Sequence, residues 1–355
     1  MESMRDLAID KIARMSARPH DLVSFWQEAT EVIGAVLPYY WTPCWYTLDP
    51  ASLLITSHYH EGLAEFPAEW LAAEYYEDDV NKIADIALSG TGISTLHEAT
   101  SGDPSTSPRW RRNIKMGGDQ ELIARLRART GQVWGALGLY REPERPMFDE
   151  SDKRFVEAVS PYLAQGARRA LLAGEAADPE GPDAPGMLIL TDTWEVETAT
   201  PGVVVAVRAL RTAEQPARPG EVAMARVLSR SGVWLALHGA GLVSDARRRV
   251  AVIVEPARPA GIYELLMSAY ELTRREQDVT RLILQGVATS QIADELVISV
   301  HTVRQHLKSI FDKAGVRSRR DLVAKIFYSH YETRLRDNEH RTLDGKPVRG
   351  GPMAR

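Results

Sequence analysis

The sequence predicts a multidomain protein with an α+β N-terminal domain, a short α+β middle segment and an all-α C-terminal domain of four helices. Three observations carry this prediction. The 355 residues, 44% of them hydrophobic, provide apolar mass for two or three separate cores. Residues 174–186 hold three prolines, three glycines and four acids, which is typical of a linker. Cap and stop residues divide the C-terminal part of the chain into short helices.

Residues 1–173 combine helical and strand-like patterns. The predicted elements are a helix over 22–36, strands over 44–48, 53–59, 121–127 and 133–141, and a helix over 152–172. Gly131 joins the last two strands as a hairpin. Helices at both ends of an antiparallel sheet predict a sensor-like α+β domain.

Residues 187–262 form a second α+β segment. The predicted elements are strands over 187–190, 194–198, 222–229, 232–239 and 249–255, and an apolar helix over 203–210. The first two strands and the helix resemble the opening of a PAS domain. Because the segment is only about 75 residues long, the resemblance implies an abbreviated, PAS-like spacer or dimerisation element.

Residues 268–333 predict four short helices. Their caps and stops are, in order, Thr273 with Glu276, Gly286, Ser299, Gly315, and Ser318 with Asp321. The second and third helices are joined by a tight turn at 297–299, and the third is amphipathic and basic. This arrangement predicts a helix-turn-helix whose second helix enters the major groove of DNA.

Charge is unevenly distributed along the chain. The whole sequence has 43 basic and 48 acidic residues and a net charge of −5. Residues 271–334 hold eleven basic and eight acidic residues, so this segment carries +3 and the remainder −8. A positive stripe in a negative chain indicates a nucleic-acid binder. The simpler alternative is a set of solvated basic side chains on an ordinary helical surface.

The C-terminal residues closely resemble the LuxR-type DNA-binding domain. The matching residues are Leu272-Thr273-Arg274-Arg275-Glu276, Gly286, Gln291-Ile292-Ala293, Leu296, Ile298-Ser299, Thr302-Val303-Arg304-Gln305-His306, Lys313, Gly315-Val316 and Ser318-Arg319. The chain departs from the family pattern at Thr280 and Ala314. Because LuxR-type domains typically read two-fold sites, the resemblance implies double-stranded DNA as partner and a homodimer.

The same resemblance implies which residues contact DNA. Arg304, Gln305 and Lys308 are expected at base edges, which agrees with the pairing of arginine or lysine with guanine and of glutamine with adenine. Six further residues are expected at phosphates, where they position the domain without reading sequence: Thr289, Ser299, Thr302, Lys313, Arg317 and Arg319.

The N-terminal domain resembles a GAF domain in its order of elements, in the stretch over 134–140 and in Phe148-Asp149 before the last helix. The resemblance implies a pocket between the sheet and the covering helices and loops, suited to an apolar or aromatic small molecule. The candidate pocket residues are Trp45, Tyr59, Trp70 and Trp134. The alternative is that these rings fill a core.

A shorter stretch offers a different ligand. Phe66-Pro67-Ala68-Glu69-Trp70, with Tyr75, Tyr76 and Asp79, resembles the acyl-homoserine-lactone domains that precede LuxR-type readers. The Asp-Pro that follows there in the family is missing from this chain. An acyl-lactone ligand is therefore kept as an alternative.

Metal and cysteine chemistry are not favoured by the sequence. His58 and His60, with Glu61, lie on alternate strand positions, but a half-exposed strand explains them more simply than a metal site. Cys44 is the single cysteine and is expected to be a buried apolar filler. No metal and no cofactor are expected.

Location and chain ends follow from composition. One cysteine, a charged start and the lack of a long apolar run predict a cytoplasmic protein without a membrane span. Residues 336–355 are rich in glycine, proline and mixed charge, and are expected to form a disordered tail.

The sequence therefore predicts a DNA-binding transcription regulator that responds to an unknown small molecule or partner. A constitutive LuxR-type regulator, whose N-terminal domains only dimerise, is the alternative. An enzyme fused to a DNA-binding domain is the least favoured reading, because no phosphate-cradling loop, nucleophile elbow, metalloprotease helix or kinase motif set is present.

Overall fold

The structure is a computed structural model that describes residues 2–62, 65–177, 186–191, 193, 195–199, 222–228, 234–244, 247–256, 270 and 272–352. The chain divides into two compact units. The first joins residues 1–177 to residues 267–352, and the second contains residues 178–266.

The N-terminal part of the first unit is an antiparallel sheet covered by helices on both faces. Its helices are α1 (Glu2–Ser16), α2 (Leu22–Gly34), α3 (Ala68–Tyr76), α4 (Ile83–Leu88), α5 (Leu96–Ala99), α6 (Pro108–Asn113) and α7 (Glu150–Ala177). Its strands are β1 (Cys44–Leu48), β2 (Ile55–Tyr59), β3 (Ile93–Thr95), β4 (Gln120–Arg127) and β5 (Val133–Arg141). The strand order is β2-β1-β5-β4-β3, so β2 and β3 are the edges.

One face of this sheet packs against α1, α2 and α7 around the main apolar core. Trp45 of β1 lies in this core and stacks on Trp26 of α2, with 4.4 Å between ring centroids. Helices α2 and α7 meet at Gly166 of α7, where an added Cβ would lie 2.0 Å from the ring of Phe25 on α2. A glycine is therefore required for this close approach.

The predicted elements of this domain are present with small shifts in their ends, and the hairpin turns at Gly131 with a φ of 90°. The helix α1, the short helices α3 to α6 and the edge strand β3 were not predicted from the sequence. The last helix runs to Ala177, so the predicted linker over 174–186 is wrong in its first four residues, which are helical. Residues 178–185 lie outside the described part of the chain.

Four helices follow in the C-terminal part of the first unit, and we call residues 274–326 the reader. They are α8 (Arg274–Leu284), α9 (Thr289–Glu295), α10 (Val300–Ala314) and α11 (Arg319–Ile326). Thr273 and Glu276 form the predicted capping box, and Ser299 and Ser318 accept hydrogen bonds from the backbone as helix caps. Gly315 ends α10 in the left-handed conformation that favours glycine.

The prediction of a disordered tail over 336–355 is wrong for residues 336–352. Residues 327–331 form a π-helical turn and are followed by α12 (Glu332–Leu343). We call residues 327–352 the clamp, because α12 packs along the edge strand β2. The segment has little apolar periodicity, but it contains buried polar side chains with specific partners: Asn338, 1% exposed, donates to the carbonyls of Thr56 and Arg349.

The second unit contains another antiparallel sheet. Its strands are β6 (Gly186–Leu190), β7 (Val196–Ala199), β8 (Val222–Leu228), β9 (Trp234–Ser244) and β10 (Arg247–Pro256), in the order β7-β6-β10-β9-β8. All five predicted strands are present within a few residues of their expected ends, apart from the longer β9. The predicted helix over 203–210 lies outside the described residues.

Candidate functional site

The expected base-contacting side chains lie together on α10. Arg304, Gln305 and Lys308 are all exposed, whereas Val303 and Ile310 on the other side of the helix are buried in the reader. The Ser299 cap fixes where the helix begins, because its hydroxyl accepts a hydrogen bond from the Thr302 backbone at 3.0 Å. The helix therefore presents one guanidinium, one amide and one ammonium group to the surface.

The expected phosphate-contacting residues fall into two groups. Ser299, Thr302 and Arg317 lie at the two ends of α10, and Ser299 and Arg317 are exposed. Lys313 and Arg319 are held within the reader: Lys313 Nζ lies 2.7 Å from Glu276 Oε2, and Arg319 donates to the carbonyl of Val287 and, at 3.5 Å, to the hydroxyl of Thr289.

Glu276 organises this part of the reader. Its buried carboxylate accepts hydrogen bonds from Thr273, Ser309 and Lys313. Burial acts to raise the pKa of Glu276, but these hydrogen bonds outweigh it and lower the pKa to about 2. A carboxylate that stays ionised thus ties α8 to α10.

A second site lies in the N-terminal domain, on the sheet face opposite the main core. We call it the Glu121 cavity. It has a volume of about 40 Å³ and lies between the sheet and helices α3, α4 and α6. Its aromatic walls are Tyr46, Phe66, Trp70 and Tyr140, and its charged groups include Glu74, Arg109 and Glu121.

The charged groups of the cavity are unequally paired. Arg109 Nη2 lies 2.8 Å from Glu74 Oε2, whereas Arg109 Nη1 lies 3.5 Å from Glu121 Oε1. Glu121 is 1% exposed, and its Oε1 accepts no hydrogen bond among the described residues. Burial raises the pKa of Glu121, against the opposing effect of Arg109.

Three of the four predicted pocket residues lie elsewhere. The main core, on the sheet face covered by α1, α2 and α7, contains Trp45, and both Tyr59 and Trp134 pack against it. Of the four predicted residues, Trp70 alone lines the Glu121 cavity. Successive strand residues point to opposite faces, so Trp45 faces α2 while its neighbour Tyr46 faces the cavity. Aromatic content alone did not indicate which face each ring would occupy.

Glu74, Arg109 and Glu121 were not among the predicted site residues. Glu121 is the first residue of the strand predicted over 121–127, so a charged residue next to the apolar Leu122 was the available signal. Glu74 and Arg109 lie on separate helices, and only the fold brings them to one cavity.

His58 and His60 do not form part of a metal cluster. His58 is buried with Nδ1 3.4 Å from Glu339 Oε1, and burial lowers its pKa to about 3. His60 Nε2 lies 3.3 Å from the Thr42 hydroxyl. Where the structure describes the chain, no group of three or more His, Cys, Asp or Glu side chains is placed to hold a metal ion.

Cys44 is buried, as expected, and burial raises its pKa to about 12. Its thiol is therefore protonated at neutral pH, which suits an apolar filler better than a reactive group. Among the described helices, none has the length and apolar character needed to cross a membrane.

The clamp connects the reader to the N-terminal domain through buried polar contacts. The Tyr331 hydroxyl donates to Asp49 Oδ2 at 2.6 Å and accepts from Ser52 at 2.9 Å. The ring of Phe327 stacks on Tyr75 of α3, with 3.8 Å between centroids.

The clamp also holds the wall of the Glu121 cavity. Glu339 accepts a hydrogen bond from the Phe66 backbone nitrogen at 2.7 Å, and Arg336 donates to the Phe66 carbonyl at 2.9 Å. The ring of Phe66 lines the cavity. One residue therefore contacts both the cavity and the segment that continues from the reader.

Comparisons with solved structures give weak likenesses. The phycoerythrobilin-bound GAF domain of a cyanobacterial phytochrome is 13% identical, with 49% of this chain and 99% of that chain covered and a TM-score of 0.36. Escherichia coli SdiA is 12% identical, with 90% and 95% covered and a TM-score of 0.32. TM-scores this low carry no argument about ligand or mechanism.

The C-terminal match is specific. The pattern of the bacterial regulatory proteins of the luxR family matches residues 270–326. The spore germination protein GerE of Bacillus subtilis (strain 168) is 42% identical over 55 residues, which are 16% of this chain and 74% of GerE. This chain therefore belongs to the luxR family of bacterial regulatory proteins, with the DNA-binding domain of a transcription regulator at residues 270–326.

Proposed function

We propose that the protein is a dimeric, sequence-specific transcription regulator whose DNA binding is modulated by a small molecule or partner at the N-terminal domain. The observation that carries this proposal is the clamp. It continues directly from the reader and binds the wall of the Glu121 cavity through Phe66.

Sequence preference comes from the exposed face of α10. Arg304 and Lys308 suit guanine O6 and N7, and Gln305 suits adenine N6 and N7. The helix is positioned on phosphates by Ser299, Thr302 and Arg317. Three further residues contact phosphates and also make hydrogen bonds within the reader: Thr289, Lys313 and Arg319.

Modulation acts through the shared contacts of the clamp. Any group that displaces the Phe66 ring also disturbs the two backbone hydrogen bonds that Phe66 makes with Glu339 and Arg336. Tyr75 provides a second connection, since it stacks on Phe327 and its hydroxyl accepts a hydrogen bond from the Ile55 backbone beside the cavity. Coupling free energies between sites are typically about 1–3 kcal/mol, which is the order of one or two such hydrogen bonds.

The middle unit is proposed as a PAS-like spacer or dimerisation element over residues 187–262, supported by its five-stranded antiparallel sheet. Sedimentation of the full chain tests the dimer. A monomer at the concentrations that saturate an operator would contradict it.

The DNA-reading proposal is tested on an operator found by genomic footprinting with the full chain. Arg304→Ala and Lys308→Ala should each cost about 1–3 kcal/mol on that operator and relax its sequence preference. Arg18→Ala, which removes the same charge from an exposed position in the N-terminal domain, is the matched control. Equal weakening on operator and random DNA would mean that these residues touch only phosphate.

Modulation is tested with Asn338→Ala, which removes the three hydrogen bonds of the Asn338 side chain and leaves the reader's own residues intact. We expect the operator Kd of the folded full-length variant to change about fivefold or more. An unchanged Kd for this variant and for Tyr331→Phe would favour the constitutive alternative, in which the N-terminal domains only dimerise.

A further inference from the structure

We propose that the ligand of the N-terminal domain is a small organic cation, an alkylammonium or a related amine, whose charged headgroup binds in the Glu121 cavity. This inference rests on the proposed modulation for its biological meaning, but its chemistry follows from the cavity alone.

The pairing of charges in the cavity is incomplete. Glu74 is satisfied, because its Oε2 pairs with Arg109 at 2.8 Å and its Oε1 accepts from the Ile83 backbone at 2.7 Å. Glu121 has only a contact of 3.5 Å with Arg109 and one of 3.5 Å with Asn113. A buried carboxylate with an unmatched oxygen is costly, and a ligand that brings hydrogen-bond donors and a positive charge would remove that cost.

Other ligand charges fit this cavity less well. An anion would meet the carboxylates of Glu74 and Glu121, and the two guanidinium groups that line the cavity are already paired, Arg109 with Glu74 and Arg112 with Glu77. An apolar molecule would leave Oε1 of Glu121 without a hydrogen bond. Because Glu77 neutralises Arg112, a cation balances the excess of one negative charge that Glu74, Arg109 and Glu121 carry when all are ionised.

The size and walls of the cavity define the headgroup. At about 10–15 Å³ for each water, the volume of about 40 Å³ holds two or three waters, which is the size of an ammonium with a few carbons. The rings of Tyr46, Phe66 and Trp70 surround it, with centroid separations of 5.6 and 5.7 Å from Phe66 to the other two. Aromatic rings attract cations and accommodate an alkyl stem.

Binding is expected to release a proton. The groups that face Glu121 are Arg109 and Asn113 on α6, Glu74 on α3, Asp79 after it, Tyr46 and Cys44 on β1, and Tyr140 on β5. Burial raises the pKa of Glu121, and Glu74 and Asp79 add to that rise against the opposing effect of Arg109. An ammonium binds the ionised carboxylate, so any proton on Glu121 leaves for solvent on binding, and affinity should rise with pH while the amine stays protonated.

The test uses three probes of similar size on the full chain: propylammonium, propan-1-ol and propionate, at equal ionic strength. We expect propylammonium to raise the Tm in a concentration-dependent way, with an apparent affinity at least about tenfold higher than that of propan-1-ol or propionate. The affinity of the unmodified protein should also be higher at about pH 8 than at about pH 6. Equal effects of all three probes, or none from propylammonium, would overturn the proposal and identify a water-filled structural cavity.

Variants separate the cavity from general electrostatics. Glu121→Gln should lose about tenfold in propylammonium affinity together with its pH dependence, whereas Glu69→Gln, at an exposed position on α3, should lose neither. If Glu121→Gln does not fold, the three-probe and pH comparisons on the unmodified chain still decide the matter.

Failure of this proposal is distinguishable from failure of the proposed modulation. Selective ammonium binding without any change in operator Kd would support the ligand class and contradict modulation. A changed operator Kd in Asn338→Ala without selective ammonium binding would support modulation and contradict the ligand class.

Discussion

The hydroxyl of Tyr331 makes a buried polar contact between the clamp and the N-terminal domain, and removing that hydroxyl tests directly how the reader is held. Tyr331 is 0% exposed, and its hydroxyl donates to the Asp49 carboxylate at 2.6 Å. In Tyr331→Phe the ring still fills its place, but Asp49 loses one hydrogen-bond donor. The Ser52 hydroxyl, which donates to the same carboxylate oxygen at 3.1 Å, remains. A hydrogen bond to a charged group contributes about 1.5–3 kcal/mol, so we expect a loss of about 2 kcal/mol in the free energy of unfolding.

Urea denaturation followed by far-UV circular dichroism measures this loss. Tyr328→Phe is the matched control, because Tyr328 lies on the same π-helical turn, is half-buried and contacts Tyr76 through its ring, at 5.4 Å between centroids. We expect the control to change stability by no more than about 0.5 kcal/mol. If the two variants cost the same, the Asp49 contact does not hold the clamp and the reasoning from burial and distance fails.

Three further predictions concern single positions. Val297 has a φ of 54° and is 88% exposed, so Val297→Asn should stabilise the reader by about 1 kcal/mol, and a lower reader Tm would refute this. Because the pKa of Glu276 is lowered on folding, the ionised carboxylate stabilises the fold at pH values above the unfolded pKa of 4.5, and this contribution disappears as the pH falls toward about 2. Glu276→Gln should therefore lower the free energy of unfolding by about 3 kcal/mol at neutral pH and by little at about pH 2. A loss of stability that does not depend on pH would contradict the assignment. Gly166→Ala should cost about 1–3 kcal/mol through its clash with Phe25, and an unchanged Tm would show that α2 and α7 can separate freely.

The sequence was most informative where local signals and fold coincide. The caps at Thr273 and Ser299 and the stop at Gly315 are short-range features, and each sits where it was expected. The strands of both sheets, apart from the edge strand β3, were also found from alternation and turn residues alone. The exposed face of α10 needed only helical periodicity, because Arg304 and Lys308 lie one turn apart and opposite the buried side of that helix.

The sequence was least informative where side chains meet across the fold. Trp45 and Tyr46 are neighbours in sequence but line opposite faces of the sheet, so the aromatic content of the domain did not indicate which rings face the cavity. Residues 336–352 of the clamp were predicted to be disordered because their stabilising groups are polar. Asn338 and Glu339 are buried only because β2 and Phe66 provide partners for them.

The sequence by itself determined that this protein carries a luxR-family DNA-binding domain and which side chains α10 exposes, because helix caps, periodicity and charge act over a few residues. Only the tertiary structure decided that the segment after the reader folds back on the N-terminal domain. It also decided that Glu74, Arg109 and Glu121 share one cavity. Those contacts join residues far apart in the chain, and their energies depend on burial and on exact partners, which no local pattern contains.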